Sequence, residues 1–223
     1  MASILCIETS TTNCSIALSV NGSVAVLIED NSKQFSHAER LHSFIEQVLV
    51  EAKMSKSSLD AIAVSKGPGS YTGLRIGVSS AKGLCFALDV PLISISTLES
   101  LALQVKPKKG LIVPMLDARR MEVYSAVFSS EGNQIRETQA EILDENSYAQ
   151  YLQEGPVLFL GSGVEKFESI CQHKNASFFS DKLPSASQMA ALAEAKYKIS
   201  DIENVAYFEP YYLKDFLATV SKK

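Results

Sequence analysis

The stretch SKGPGSYTGLRIG, residues 65–77, has the residue types of a phosphate-binding turn. Glycines between a strand and a helix can aim backbone N–H groups at an anion, and the helix dipole favours negative charge there. The spacing, however, fits neither common nucleotide motif. A P-loop requires a lysine after its final glycine and a dinucleotide fingerprint requires a third glycine, whereas this chain has a leucine and a threonine there. The residues Gly67, Gly69 and Ser70 therefore favour a tight strand-to-helix connection, with proximity to a phosphate as the alternative.

Two acidic residues, Glu8 and Asp117, each close an apolar strand, one in each half of the chain. A carboxylate at such a position can coordinate the magnesium ion of a nucleotide. It can equally cap the turn by accepting N–H bonds from the residues that follow. For Asp117, an ion pair with Arg119 or Arg120 is a further structural interpretation. Both acids stay candidates for proximity to a phosphate.

The histidines and cysteines do not have the spacing of metal ligands. His37 and His42 are five residues apart, whereas two imidazoles on one helix share a metal at a spacing of four. We expect both on the solvent side of a helix. The four cysteines have no paired spacing, which predicts reduced, buried thiols at Cys6, Cys14, Cys85 and Cys171. The sequence thus predicts neither a metal site nor a catalytic residue.

The elements that must position these residues occur twice. Each half opens with an apolar strand that ends on an acid, followed by a hairpin. Gly22 of the first hairpin turn follows Glu8 by 14 residues, and Gly132 follows Asp117 by 15. Asn21-Gly22 is a strong signal for a two-residue hairpin turn. After its hairpin, each half alternates helices with strands, which predicts two α/β subdomains built around mixed sheets.

Two helices are predicted in the first half, over residues 36–53 and 72–88. The first has apolar residues at three- and four-residue steps. The second has one apolar stripe and a separate surface of glycine and serine, which would let another helix or a sheet approach closely. A late helix is predicted to begin at Ser185 or Ser187. We predict subdomains over residues 1–104 and 105–210, with residues 211–223 completing the first.

The composition excludes several classes of protein. The chain has 223 residues and a formal net charge of -4, which gives no general attraction to nucleic acid. Any contact with RNA is therefore expected through a partner. No signal-peptide pattern and no run of about 18 apolar residues occurs, so we expect a cytoplasmic protein without membrane contact.

Several segments together resemble one family. The segments IETSTTNCSIAL, KGPGSYTGLRIGVSSAKGL, VPLISISTLESLA, LDARRMEVY and PYYLKDF resemble the TsaB (YeaZ) family in order and spacing from end to end. The resemblance implies the actin-like ATPase fold, with two duplicated α/β subdomains and mixed sheets. It also implies a non-catalytic paralogue of TsaD, the subunit that transfers threonylcarbamoyl to N6 of adenosine 37 in tRNAs reading ANN codons.

The resemblance also locates the difference from TsaD. TsaD holds a metal through histidines in a segment of the type V-H-H-M-E-G-H, and residues 95–101 of this chain read ISTLESL. Thr97 and Leu101 stand where the metal histidines would be, and neither can replace an imidazole. We therefore expect no metal and no cofactor, with ATP or ADP at the partner interface as an alternative.

By resemblance, the expected partners are a TsaD-like subunit in a heterodimer and a TsaE-like ATPase. The chain would form a homodimer when alone and meet tRNA only through the complex. The expected interface lies on the helices at 36–53 and 72–88 and includes Leu41, Phe44, Arg75, Val78, Ser79, Lys82 and Gly83.

Two other functions stay open at this point. The first is a nucleotide-binding ATPase or phosphotransferase of the same fold, for which Glu8, Asp117 and the G-S-G of residues 161–163 are a partial match. The second is an inactive glycoprotease-like homologue that acts as a homodimeric scaffold. Protease activity itself has no support, because the sequence offers no zinc site and no pairing of a nucleophile with a base.

Overall fold

In residues 2–31 and 37–214, which the computed structural model describes, the strands form two five-stranded mixed sheets. The strands of the first sheet are β1 (Ser3–Glu8), β2 (Cys14–Val20), β3 (Ser23–Asp30), β4 (Ala61–Gly67) and β5 (Leu92–Ser96). They lie in the order β3-β2-β1-β4-β5. The pairs within β1–β3 are antiparallel, whereas β4 and β5 join in parallel.

The second sheet repeats this plan. Its strands are β6 (Leu111–Asp117), β7 (Glu122–Ser129), β8 (Gln134–Ile142), β9 (Val157–Leu160) and β10 (Ala176–Phe179). Their order is β10-β9-β6-β7-β8, again with an antiparallel hairpin side and a parallel side. The duplicated α/β layout predicted from the acid-to-glycine spacing is confirmed.

Helices cover both faces of the first sheet. The helices of the described residues are α1 (His37–Glu51), α2 (Tyr71–Leu88), α3 (Thr97–Ala102), α4 (Ala149–Glu154), α5 (Val164–Glu168) and α6 (Ala186–Lys198), of which α4 and α5 pack against the second sheet. Side chains alternate along a strand, so Leu5 and Ile7 of β1 pack under α1 and α2, whereas Ile4 and Cys6 pack under α6. The predicted start of the first helix at residue 36 lies outside the described residues.

Helix α6 corrects the predicted division of the chain. The sequence assigned it to the second subdomain, residues 105–210, but Ala186, Met189 and Ala193 pack against the first sheet. It begins at Ser185, whose hydroxyl accepts a hydrogen bond from the N–H of Ser187. The chain thus returns to the first half after completing the second sheet, and the boundary near residue 104 stays a prediction.

The C-terminal strap, residues 203–214, also returns to the first half. The N–H of Glu203 donates to Leu92 O at 2.8 Å, and that of Tyr211 donates to Lys66 O at 2.7 Å. At its end, the ammonium of Lys214 pairs with the carboxylate of Glu122 on β7. Residues 211–214 thus contact both halves, while residues 215–223 of the predicted segment lie outside the described residues.

Glycines bring α2 unusually close to the turn that follows β1. A Cβ atom added at Gly73 would lie 2.1 Å from Thr9 O, and one at Gly77 would lie 2.2 Å from Thr9 Oγ1. The hydroxyl of Thr9 also donates to Gly73 O at 2.8 Å. Such separations are far below van der Waals contact, so only glycine fits at both positions.

Two alanine substitutions in α2 test this packing. Gly73→Ala should lower the free energy of unfolding by more than about 2 kcal/mol, because the backbone of Thr9 must move. Gly83→Ala should raise it by about 0.5 to 1 kcal/mol, because a Cβ there meets nothing within 4 Å and alanine favours the helix. Urea unfolding of both variants measures the difference. Equal effects at the two positions would contradict the close approach of α2 to the Thr9 turn.

Candidate functional site

The backbone of the glycine turn is used by the protein itself. The N–H of Ser70 donates to Ser10 O at 2.6 Å, and a Cβ at Gly69 would lie 2.5 Å from the same oxygen. The hydroxyl of Ser70 caps α2 by accepting from the N–H of Gly73. A phosphate could approach these groups only if the Ser10 turn moved, so the geometry matches the structural interpretation of the glycines.

Glu8 lies beneath the same turn and is completely buried. Its Oε1 accepts hydrogen bonds from Ser10 N at 2.6 Å and from Ser65 Oγ at 3.0 Å. Burial raises the pKa of this carboxyl, although these hydrogen bonds oppose the shift. The carboxyl therefore acts as an internal acceptor that ties the ends of β1 and β4 together, and in this conformation no ligand can reach it.

Asp117, the corresponding acid of the second half, is exposed and already paired. Its Oδ1 accepts from Arg119 N at 2.6 Å and from Lys166 Nζ at 2.9 Å. The acid thus caps its turn, as one interpretation proposed, but Lys166 supplies the cation in place of an arginine side chain. The glycines at 161 and 163 are also packed, because added Cβ atoms would lie 2.3 Å from Met115 O and 2.8 Å from Val123 Cγ1.

The histidines and the two positions expected to correspond to metal ligands lie in different environments. His37, expected on the solvent side, is instead buried, with Nε2 2.7 Å from Thr11 O, and burial lowers its pKa. His42 is exposed. Thr97 and Leu101 are both completely buried. Within residues 2–31 and 37–214, no group of three His, Cys, Asp or Glu side chains could hold a metal ion, and the four cysteines are free and buried, as predicted.

The predicted interface residues divide into two sets. Leu41 and Val78 are buried against the first sheet, so the prediction that they present a surface is wrong. Phe44 is half-buried against the same core. The ammonium of Lys82 donates to two carbonyls of the C-terminal strap, at 3.2 and 2.9 Å. The apolar positions were misassigned because their helical periodicity marks the core-facing stripe.

The solvent-exposed side of α2 is left once the buried positions are set aside. This α2 outer face consists of Thr72, Arg75, Ser79, Gly83 and Phe86. Phe86 is 87% exposed, and Val50 on the neighbouring α1 is 75% exposed. Arg75 lies over the ring of Tyr71, with Cζ 5.4 Å from the centroid. Sequence reasoning missed Phe86 and Val50, although both fall outside the apolar stripe of their helix, which is the signal that could have identified them.

Described helices give no sign of a membrane-spanning segment, because none is both long and apolar enough to cross a bilayer.

Sequence comparison finds relatives along the whole chain. A family model described as TsaD, tRNA N6-adenosine threonylcarbamoyltransferase, matches residues 31–221. The tRNA threonylcarbamoyladenosine biosynthesis protein TsaB of Escherichia coli (strain K12) is 30% identical over 223 residues, which cover 96% of each chain. The protein of the same name from Bacillus subtilis (strain 168) is 37% identical over 164 residues, covering 71% of this chain and 70% of the relative.

Structural comparison agrees. YeaZ from Pseudomonas aeruginosa superposes with a TM-score of 0.79 at 26% identity, over 96% of this chain and 100% of that one. Component A of the (R)-2-hydroxyglutaryl-CoA dehydratase of Acidaminococcus fermentans has a TM-score of 0.51 at 11% identity, over 90% of this chain, which is a likeness of fold alone. The predicted actin-like fold class is confirmed. Since the family model and the Escherichia coli relative both extend over nearly the whole sequence, this chain belongs to the TsaB (YeaZ) family.

Proposed function

We propose that this chain is a partner subunit in tRNA threonylcarbamoyladenosine (t6A) synthesis. In this proposal it supports a TsaD subunit, which transfers threonylcarbamoyl to N6 of adenosine 37 in tRNAs reading ANN codons. The names of the relatives support the pathway, since proteins aligned along 93% or more of their length are named for this biosynthesis. The structural observation that carries the proposal is the α2 outer face, where Phe86 lies exposed beside small residues.

The α2 outer face has the properties of a helix-packing surface. Serine and glycine at positions 79 and 83 leave room for a second backbone, and Phe86 offers a large apolar side chain at one end. Moving such a side chain out of water is worth about 1.5 to 3 kcal/mol, which favours a partner over solvent. We propose that TsaD covers this face together with Val50 and the exposed side of α1, and that a second copy of the chain covers it when TsaD is absent.

The chain is proposed to be non-catalytic. Thr97 and Leu101 occupy the positions that correspond to the metal histidines of TsaD, and both are enclosed in the core. A hydroxyl and a leucine do not fit a metal that needs imidazole ligands, so no step of the transfer is assigned to this chain. We propose that the ATPase TsaE joins the complex, and that the complex works in the cytoplasm, where tRNA is modified.

Reconstitution tests the division of labour. The isolated chain should transfer no threonylcarbamoyl to tRNA, because it lacks the metal ligands of the transferase. Adding TsaD, TsaE and the enzyme that forms the threonylcarbamoyl adenylate should restore t6A, measured by mass spectrometry of digested tRNA. Transfer by the isolated chain would overturn the non-catalytic assignment, and full activity of the mixture without this chain would overturn its role as a partner.

A charge on the α2 outer face tests the interface. Gly83→Glu should weaken association with TsaD by about tenfold or more, because the interface would bury an unpaired carboxylate. The substitution meets open space, so the chain should stay folded. Ala195→Glu adds the same charge on the exposed side of α6, across the first sheet, and should leave association unchanged. Size-exclusion chromatography with titration calorimetry measures both variants, and equal binding by the two would count against this interface.

Glu8→Gln tests whether the buried acid is structural. The reconstituted complex should keep its transfer rate within about twofold, because Glu8 contacts only its own chain. The difference in the free energy of unfolding between the wild type and Glu8→Gln should change with pH. Because burial raises the pKa of the folded carboxyl above the ordinary 4.5, the unfolded state releases this proton at lower pH than the folded state, so the wild type should lose stability relative to Glu8→Gln as pH rises above about 4.5. Urea unfolding between about pH 4 and 8 measures this, and parallel profiles would contradict a raised pKa at Glu8.

A further inference from the structure

We infer that the turn Arg119-Arg120, between β6 and β7, binds backbone phosphates of the tRNA that the proposed complex modifies. The inference rests on the proposed function for the identity of the RNA. Both arginines are exposed at the tip of the hairpin, and no hydrogen bond or ion pair engages either guanidinium among the described residues. We call Arg119 and Arg120 together the arginine turn.

The backbone conformation of the arginine turn is unfavourable for arginine. Arg119 has φ 71° and Arg120 has φ 49°, in the left-handed region that costs a non-glycine residue about 1 kcal/mol or more. The hairpin turn between β2 and β3 uses Asn21 and Gly22 at similar angles, φ 53° and 75°, with residues suited to them. Two adjacent arginines in this conformation are therefore unexplained by folding and point to a role for their charge.

The surrounding charges leave the arginines free for an external anion. The carboxylate of Asp117 pairs with Lys166, and that of Glu122 pairs with Lys214. Both of these acids are thus neutralised by a lysine, and among the described residues the two arginines of the turn add two positive charges that these pairs leave uncompensated. In a chain of net charge -4, this is a local reversal of the overall sign. Such an arrangement attracts polyanions to one spot without making the whole protein a nucleic-acid binder.

The C-terminal strap links the arginine turn to the N-terminal end of α2. The ring of Tyr212 lies 5.0 Å from that of Tyr71, in the first turn of α2. Two residues later, the ammonium of Lys214 pairs with the carboxylate of Glu122, the first residue of β7, two positions after Arg120. Two residues of chain span at most about 7 Å, so one short segment contacts both the first turn of α2 and the first residue of β7, after the arginine turn. In the proposed complex, a tRNA held by the TsaD subunit would reach the turn from this end of α2.

The side chain chemistry favours phosphate as the anion. A guanidinium offers several N–H donors in a planar fork that matches a phosphate, and it stays charged at any physiological pH. Adjacent arginines on a turn can engage neighbouring phosphates of one strand without reading its sequence. This contribution needs the complex, because two phosphate contacts alone give little affinity at physiological salt.

The test measures tRNA binding to the reconstituted complex of this chain with TsaD, using a fluorescent tRNA transcript that reads an ANN codon across a series of KCl concentrations. The variant Arg119→Asn/Arg120→Gly removes both charges and supplies residues that accept the same backbone. It should weaken binding about tenfold at low salt and reduce the slope of log K against log salt by about one to two. Its melting temperature should be unchanged or higher.

A matched control removes the same charge elsewhere. Lys108→Asn/Lys109→Gly lies before β6, at the opposite end of this seven-residue strand and about 20 Å away. It should bind tRNA like the wild type. Two further double variants keep long side chains on the same strained backbone and are compared for their charge. They are Arg119→Lys/Arg120→Lys and Arg119→Gln/Arg120→Gln. The lysine variant should keep the salt slope and the glutamine variant should lose it.

The outcomes separate this inference from the proposed function. Unchanged affinity and slope in the arginine variants, or equal losses in the control, would overturn the inference while leaving the partner role intact. Loss of association with TsaD in these variants would identify the turn as a protein contact and would overturn it too. If the unaltered chain fails to associate with TsaD, the proposed function falls, and the assignment of the turn to this RNA falls with it.

Discussion

The close approach of α2 to the turn after β1 is the constraint on which much of the structure depends. Thr9 fills the space that side chains would occupy at Gly73 and Gly77, and the helix is held there by the Thr9 hydroxyl and by the cap at Ser70. Because α2 is fixed against the sheet along its glycines, its opposite side is presented to solvent in one orientation. The position of the α2 outer face, and with it the proposed interface, follows from this packing.

The same packing changes what the carboxyl edge of the first sheet can do. In open α/β sheets, ligands commonly bind at the carboxyl ends of the strands. Here the backbone groups of that edge bond to one another, and Glu8 is enclosed by Ser10 and Ser65. The carboxyl edge of the first sheet is therefore closed by contacts within the chain. The proposed function is accordingly assigned to helix faces and turns, since fold alone does not determine function.

The net charge of the protein does not show which of its charged side chains are paired and which are exposed. The lysines near the hairpin of β6 and β7 are engaged by Asp117 and Glu122, whereas the guanidinium groups of the two arginines at its tip have no ion pair within residues 2–31 and 37–214. Lys82 is likewise held by carbonyls of the strap and so contributes packing more than surface charge. A count of charges from composition could exclude a general affinity for nucleic acid, but only coordinates distinguish paired cations from exposed ones.

Much of the fold was available from the sequence. The repeated order of apolar strand, acid and hairpin predicted the duplicated mixed sheets, because side chain alternation and turn residues act locally. The return of α6 and of the strap to the first half could not be predicted, since both depend on contacts between residues far apart in the chain.

The candidate site was likewise predictable only where local pattern decides it. Helical periodicity found Leu41 and Val78 but could not tell that their stripe faces the core, nor that Lys166 would neutralise Asp117. The sequence by itself determined the family, the layout of the strands and the special glycines. Only the tertiary structure decided which helix face is free and which charges are unpaired, because burial and pairing are properties of neighbours in space.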